Sequence, residues 1–297
     1  MKGTWLAPEA RAAGFVGGRG CRPPPKRALE AAPPRLYGPA TNKGATEAMK
    51  FSYSAVWDDA AALLRSHSSL VAALAGAFLF LPALLVGHFL AQPVPGEDPW
   101  AYLRELQAYM SANAFWLLLQ SLANAVGTIA ILMLVFARKG TSVGGALAAA
   151  FMLLPFYFIA GFIANLIVFA GLLLFLLPGL YLFARLVPLG PVVVAENRRN
   201  PFAAIGRAFQ VTKGKGWAVL GLVALVAIPG AISIQVVTLL LGIVFSLAAG
   251  EEIARLLTLI VGSAAAAALT VVLLLLYAAI YRALAGQGSG APVPPAQ

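Results

Sequence analysis

Long uncharged apolar runs alternate with short polar segments along this chain. Val71 to Leu90 holds no charge over twenty residues. At about 1.5 Å per residue, that length crosses the roughly 30 Å of hydrocarbon in a bilayer. Ala114 to Phe136 is a second run, ending at Arg138-Lys139. Between Gly140 and Ala195 the only charge is Arg185. That stretch is too long for one span and long enough for two. They are expected near Gly145 to Leu166 and Gly171 to Val194, with the turn within NLIVFAG. A fifth run starts at Trp217 and reaches the 240s, and a sixth covers Leu256 to Tyr281.

Some of the polar segments are periodic. In SAVWDDAAALLRSH, Ser54 suits a helix N-cap, Asp58 and Asp59 the first turns, and Arg65 the end. Val56, Trp57, Ala60, Leu63 and Leu64 form an apolar stripe. The spacing predicts a short interfacial helix leading into the first span. After that span, Asp98 and Pro99 read as a cap and first helical position, with Trp100, Tyr102 and Tyr109 at a membrane boundary. In AENRRNPFAAIGRAFQVTKGKGW, Asn200 caps a helix, Pro201 occupies its first turn and Gly214 stops it. Phe202, Ile205, Ala208, Phe209 and Thr212 share a face, away from Arg207, Gln210 and Lys213. The prediction is a second amphipathic helix, its stripe toward lipid and its cations among headgroups.

Composition explains why lipid is the solvent. Of 297 residues, 61% are hydrophobic and 11% charged, against about 25% charged in soluble domains. The net charge of +10 does not indicate nucleic acid, which requires a groove-reading or stacking platform. The charges instead sort by end. With the N-terminus in the cytoplasm, one side carries Lys50, Arg65, Arg138, Lys139, Arg198, Arg199, Arg207, Lys213, Lys215 and Arg282. The other carries Glu97, Asp98, Arg104, Glu105, Glu251, Glu252 and Arg255. Basic residues gather on one side, as the positive-inside rule requires. Six spans with both termini cytoplasmic satisfy every loop; five would split the basic loops. The predicted fold is therefore all-α, a polytopic transmembrane bundle of six spans with amphipathic interfacial helices, over residues 49–283.

Residues 1–48 are basic and rich in Pro and Gly. They read as disorder, as a tail touching headgroups or a partner, or as a start-site error with Met49 the true start. Residues 284–297 read as a disordered tail.

A resemblance adds to this. PGLYLFARLVPLGPVVVAE, followed by NPFAAIGRAFQVTKGKGW, resembles the bacterial glycerophosphoryl diester phosphodiesterase membrane domain family and its uncharacterised polytopic relatives. The matching features are Pro178-Gly179, Tyr181, Arg185, Pro191 and Glu196. An Ala-rich helix with Ala204, Ala208 and Phe209 follows, then Thr212, Gly214 and Trp217. MKFSYSAVWDDA at Met49 is similar to the family's start. The resemblance covers Met49 to Tyr281 and implies a membrane domain. The phosphodiesterase's metal-binding acids and histidines have no counterpart here, so it implies no such activity.

Candidate chemistry is sparse. Cys21, His67 and His88 lack ligand spacing, so neither a metal nor a cofactor is expected. No Asp or Glu lies within a span, which leaves no carboxylate pair for acid-base work. In SHSS, His67 and its neighbouring serines should not face each other on a helix. His88 has no visible partner. Arg185 reads either as a snorkelling or paired structural residue or as a contact for an anionic ligand such as lipid phosphate. Arg198, Arg199, Arg207 and Lys213 are further candidate anion or lipid contacts. Pro178-Gly179 and Pro229-Gly230 read as hinges or kinks inside spans. Gln120, Asn124, Asn165 and Gln235 read as interhelical hydrogen bonders, and GSAAAAALT as a small-residue packing face.

The expectation is a non-catalytic protein of the bacterial cytoplasmic membrane acting through lipid or protein contacts. Its partners are membrane lipids, with a membrane protein or a second copy as further candidates, and no nucleic acid. The alternative is a transporter or permease-like protein for a small or lipid-like anion, with a site between spans 4 and 5 near Arg185.

Overall fold

A computed structural model describes residues 52–90, 92–93, 96, 98–136, 143–248 and 250–289. The chain divides into Met1–Ala48 and Met49–Gln297. The readings made of 1–48, Lys50, Glu97, Arg138, Lys139 and 290–297 lie outside the described residues. Among the described residues all regular structure is helical, and six helical stretches are long and apolar enough to cross a membrane.

The first span is longer than its hydropathy suggested. Helix α1 (Tyr53–Ala75) passes through a π turn (Gly76–Phe80) into α2 (Leu81–Phe89). The short helix expected before the span is the first part of α1, which kinks at His67 (φ −130, ψ 19) before continuing into the span. The cap is Ser52 rather than Ser54, its Oγ accepting from Ala55 N at 3.4 Å. Val56, Ala60 and Leu63 are buried in one core with Leu276, Ile280 and Leu284, so these positions of the stripe face protein, while Trp57 is exposed. The π turn has a local cause. Pro82 has no N–H for the Phe78 carbonyl, and the wider turn lets Leu81 N–H reach Gly76 O.

Helix α3 (Pro99–Ala112) starts as expected, with Asp98 Oδ1 accepting from Trp100 N at 2.9 Å. Helix α4 (Ala114–Phe136) is the second span. Its Gly127 meets the first span closely: a Cβ there would lie 2.6 Å from that of Phe78.

The turn between spans 3 and 4 falls later than NLIVFAG. Helix α5 runs Val143–Leu174, Phe175 is extended (φ −162, ψ 152), and α6 covers Leu176–Leu186. Pro178 cannot donate to the Leu174 carbonyl, so one helix cannot run through; placed in the first turn of a new helix, it loses nothing. Pro188 breaks span 4 again, and α7 (Leu189–Ala195) completes it.

The amphipathic helix α8 covers Pro201–Val211, followed by α9 (Gly216–Ala248) and α10 (Glu251–Ser289). Helices α9 and α10 both run past the apolar runs read from the sequence, so the segment between them, expected as a loop before Leu256, is already helical from Glu251. The expected disordered tail begins as helix too, with Leu284 and Ala285 buried.

Ile129, Ile131 and Leu132 of α4 pack with Val71, Leu275, Leu276 and Ile280 in the centre. Phe151, Phe162, Leu239 and Leu247 are exposed on the outside. Apolar residues on both the inside and the flank suit a body solvated by lipid. At one end, here the basic end, lie the start of α1, α8 and the end of α10. The opposite end holds α3 and the turns from α5 to α6 and from α9 to α10.

Candidate functional site

The basic end is built around a turn that sequence periodicity does not show. Asn197 takes a positive φ of 46°, which Asn tolerates better than most residues. Arg198 N then bonds Val193 O at 3.1 Å, and the chain reverses toward α8. Asn200 Oδ1 accepts from Phe202 N at 3.0 Å and Ala203 N at 3.3 Å, closing the helix N-terminus as read from the sequence. At the other end, Gly214 has φ +75°, a conformation for which glycine is suited.

The reversal holds Glu196 where three donors converge. Arg198 Nε donates to Oε2 at 2.6 Å, and Arg207 Nε to Oε1 at 2.9 Å. Tyr281 Oη, from α10, donates to Oε1 at 3.0 Å. Burial pushes the carboxyl's pKa up, but the bonds from Arg207, Arg198 and Tyr281 and the charge of Arg207 outweigh it, leaving it below the usual 4.5. Glu196 is therefore an ion held in place. One carboxylate between two guanidiniums leaves the cluster net positive. Sequence reading missed this joint because Tyr281 is 85 residues away.

Arg185 is also paired. Its Nε donates to Thr212 Oγ1 at 3.0 Å, Nη1 to Tyr181 Oη at 3.3 Å, and Nη2 to the Phe209 carbonyl. Its guanidinium lies 5.1 Å from the Phe209 ring centroid and 5.7 Å from that of Tyr181. Thr212, fully buried, donates to the Ala208 carbonyl at 2.8 Å. A cation on the last carbonyls of α8 complements the negative end of its dipole. Of the two sequence readings of Arg185, this geometry corresponds to structural pairing.

The stripe of α8 is also turned inward. Ala204, Ile205 and Ala208 are buried against Ala160, Leu186, Val192 and Tyr281, while Phe202 is exposed. Helix α8 is thus fixed to protein, correcting the lipid-facing orientation expected for it. Arg199 and Lys213 remain exposed at the surface. An ion pair between Arg282 and Asp59, at 3.3 Å, ties α10 to α1 nearby.

Other sequence candidates fall elsewhere. Pro178 is in the first turn of α6, and Gly179 is a contact point: a Cβ there would lie 2.7 Å from Leu172 N. Helix α9 continues through Pro229, and Gly230 lies against the Leu269 side chain. Asn165 bonds its own helix, Nδ2 to Gly161 O at 2.9 Å, where an interhelical bond was expected, and Asn124 Oδ1 is buried with no partner among the described residues. Within GSAAAAALT, Ser263 and Ala267 are the buried positions. Ser66 and His67 do meet, Oγ to Nδ1 at 2.8 Å, because the helix is broken at His67 (φ −130, ψ 19). The Ser66 hydroxyl donates to the Leu63 carbonyl at 3.0 Å, so it accepts from the imidazole. Among the described residues no three His, Cys, Asp or Glu side chains come together as a metal site.

No protein-family model, curated protein or solved structure matches the chain.

Two cavities complete the picture, and neither is lined by Arg185. One of about 390 Å³ opens at the break in span 4, among Tyr157, Asn165, Val187, Thr270 and Tyr277. The other, about 920 Å³, lies between the first two spans and the last two, toward the opposite end.

Proposed function

We propose that this chain is a multi-pass protein of the bacterial cytoplasmic membrane, both termini cytoplasmic, that acts through lipid contacts rather than catalysis. The reading includes a membrane body of the kind its sequence resembles, that of the glycerophosphoryl diester phosphodiesterase membrane domain family, without the phosphodiesterase. One observation carries it. Arg199 and Lys213 are exposed just beyond the two ends of α8, whose Arg207 joins the net-positive Glu196 cluster at the end of an apolar-sided bundle. Cations held at that level suit anionic headgroups, each worth about 1 kcal/mol. Lipid retained after purification from mixed anionic and zwitterionic membranes tests this. Arg199→Gln with Lys213→Gln should lower anionic-lipid retention about thirtyfold at low salt. Unchanged retention contradicts the reading.

A permease-like role is the second reading, favoured by the cavity of about 920 Å³. Its place differs from the site near Arg185 expected between spans 4 and 5.

A further inference from the structure

We propose that the larger cavity binds the headgroup of a zwitterionic phospholipid, with an acyl chain in the apolar groove beside it. This goes beyond the anionic contacts at the basic end and does not depend on them.

The cavity follows α10 from Glu251 to Ala266, about 22 Å along the helix. It therefore reaches from the end of the bundle toward its middle. Its walls grade from ionic to neutral. Glu251 and Arg255 line it at the start of α10, and Gln120, Gln235, Thr238 and Thr258 line it further from the helix ends.

Charge selects the ligand class. Glu251 and Arg255 are one helical turn apart with opposite signs, a spacing at which side chains commonly pair. They form no ion pair with each other or with any other described residue. An anion alone would meet Glu251, and a cation alone would meet Arg255. A phosphate and an ammonium two carbons apart, as in an ethanolamine phosphate, satisfy both.

The interior is short of hydrogen-bond partners. Tyr109 Oη and Thr238 Oγ1 both belong to cavity-lining residues, and both are buried without a partner. Three other hydroxyls of α9 and α10 differ from that of Thr238. Thr258 and Thr270 bond their own backbone at 2.7 and 2.8 Å, and Ser246 does so at 2.8 Å. A buried polar group without a partner is costly; both oxygens are covered by neighbouring atoms, so phosphate or ester oxygens would accept from them only after a side-chain rotation turns them into the cavity.

The acyl chain has a path. A groove of about 580 Å³ runs along α2 and α4 between Leu81, Leu85, Phe89, Trp116 and Leu119. It shares Val86 and Gln120 with the polar cavity. A chamber that sets charged and neutral polar groups among apolar walls, adjoining an apolar groove, fits an amphiphile better than a free solute.

Nanodiscs made from equal parts phosphatidylethanolamine and phosphatidylglycerol with identical chains provide the test. Lipids retained by the full chain are read by native mass spectrometry. Phosphatidylethanolamine should be retained, and Glu251→Gln or Arg255→Gln should each lower its retention about fivefold. Leu119→Trp, which fills the groove, should also lower it. The swap of Glu251→Arg with Arg255→Glu keeps both signs and should recover much of the loss. Phosphatidylglycerol in the same spectra reports the basic end and should not change. Unaltered phosphatidylethanolamine retention in both charge variants overturns the proposal. So does full displacement by millimolar phosphoethanolamine without chains, which would make the ligand a free zwitterion.

Discussion

The two ends of this bundle treat their polar groups in opposite ways. At the basic end Glu196 takes bonds from three side chains, and Arg185 gives bonds to three groups. At the opposite end Glu251 and Arg255 stand unpaired among the described residues, and two buried hydroxyls lack partners. The only ion pair described there, Arg104 with Asp98 at 3.9 Å, joins two exposed side chains and contributes little. Polar groups that satisfy one another hold a structure together. Polar groups left open around a cavity are available to something else. The basic window from Ala195 to Trp217 therefore looked like the site but is largely a joint, while Glu251 and Arg255 border the larger opening.

Substitutions at the two ends should separate these roles. The largest expected effect is at Arg185. Arg185→Ala leaves Thr212 and the Phe209 carbonyl short of a donor and should cost about 2–4 kcal/mol, read as a lower unfolding midpoint in detergent. Arg185→Lys should recover only part, because an ammonium cannot reproduce the guanidinium's fork. An Arg185→Ala chain as stable as wild type would show that the basic end is not a joint.

Next comes Glu196→Gln, expected to cost about 1–2 kcal/mol by leaving two arginines against a neutral amide. The same joint has a pH signature. The Glu196 pKa is below its usual 4.5 in the folded chain. Its contribution is therefore complete above about 4.5 and is lost as pH falls through the lower, folded value. Wild-type stability should drop in that acid window, and Glu196→Gln should show a shallower drop. Equal acid slopes would remove Glu196 from the account.

A pair of glycines gives a smaller contrast. A Cβ at Gly216 would lie 2.6 Å from the Tyr181 ring and 3.0 Å from Arg185 Cδ, whereas one at Gly262 would touch Thr238 at an ordinary 3.5 Å. Gly216→Ala should cost about 1 kcal/mol, and Gly262→Ala close to nothing. Smallest of all, Glu251→Gln and Arg255→Gln should change stability by less than about 0.5 kcal/mol, since neither side chain holds the fold.

The spans were legible because hydrocarbon imposes a length and a lack of charge that few other environments require. The start of α8 was legible because Asn200, Pro201 and Gly214 each act locally. The turn at Phe175 was not, because GLLLFLLPG is apolar throughout; the usable signal was Pro178, which fits a first helical turn. Nor can an apolar stripe state whether it faces lipid or protein. The small size of Ala204 and Ala208 was the available hint of tight packing, and Val56, Ala60 and Leu63 gave a similar one in α1. Glu196 with Tyr281, and Arg185 with Thr212, join residues far apart in sequence, so only the fold brings them together. The larger cavity draws on α2, α3, α4, α9 and α10 and has no local sequence signature.

All of this depends on the two ends lying on opposite faces of a membrane. With Cys21→Ser removing the native thiol, single cysteines at Lys213 and Glu251 can be labelled in intact spheroplasts with a membrane-impermeant maleimide. The expected result is labelling of Glu251→Cys in intact spheroplasts, and of Lys213→Cys only after the membrane is opened. Labelling of both from the same side would contradict the account.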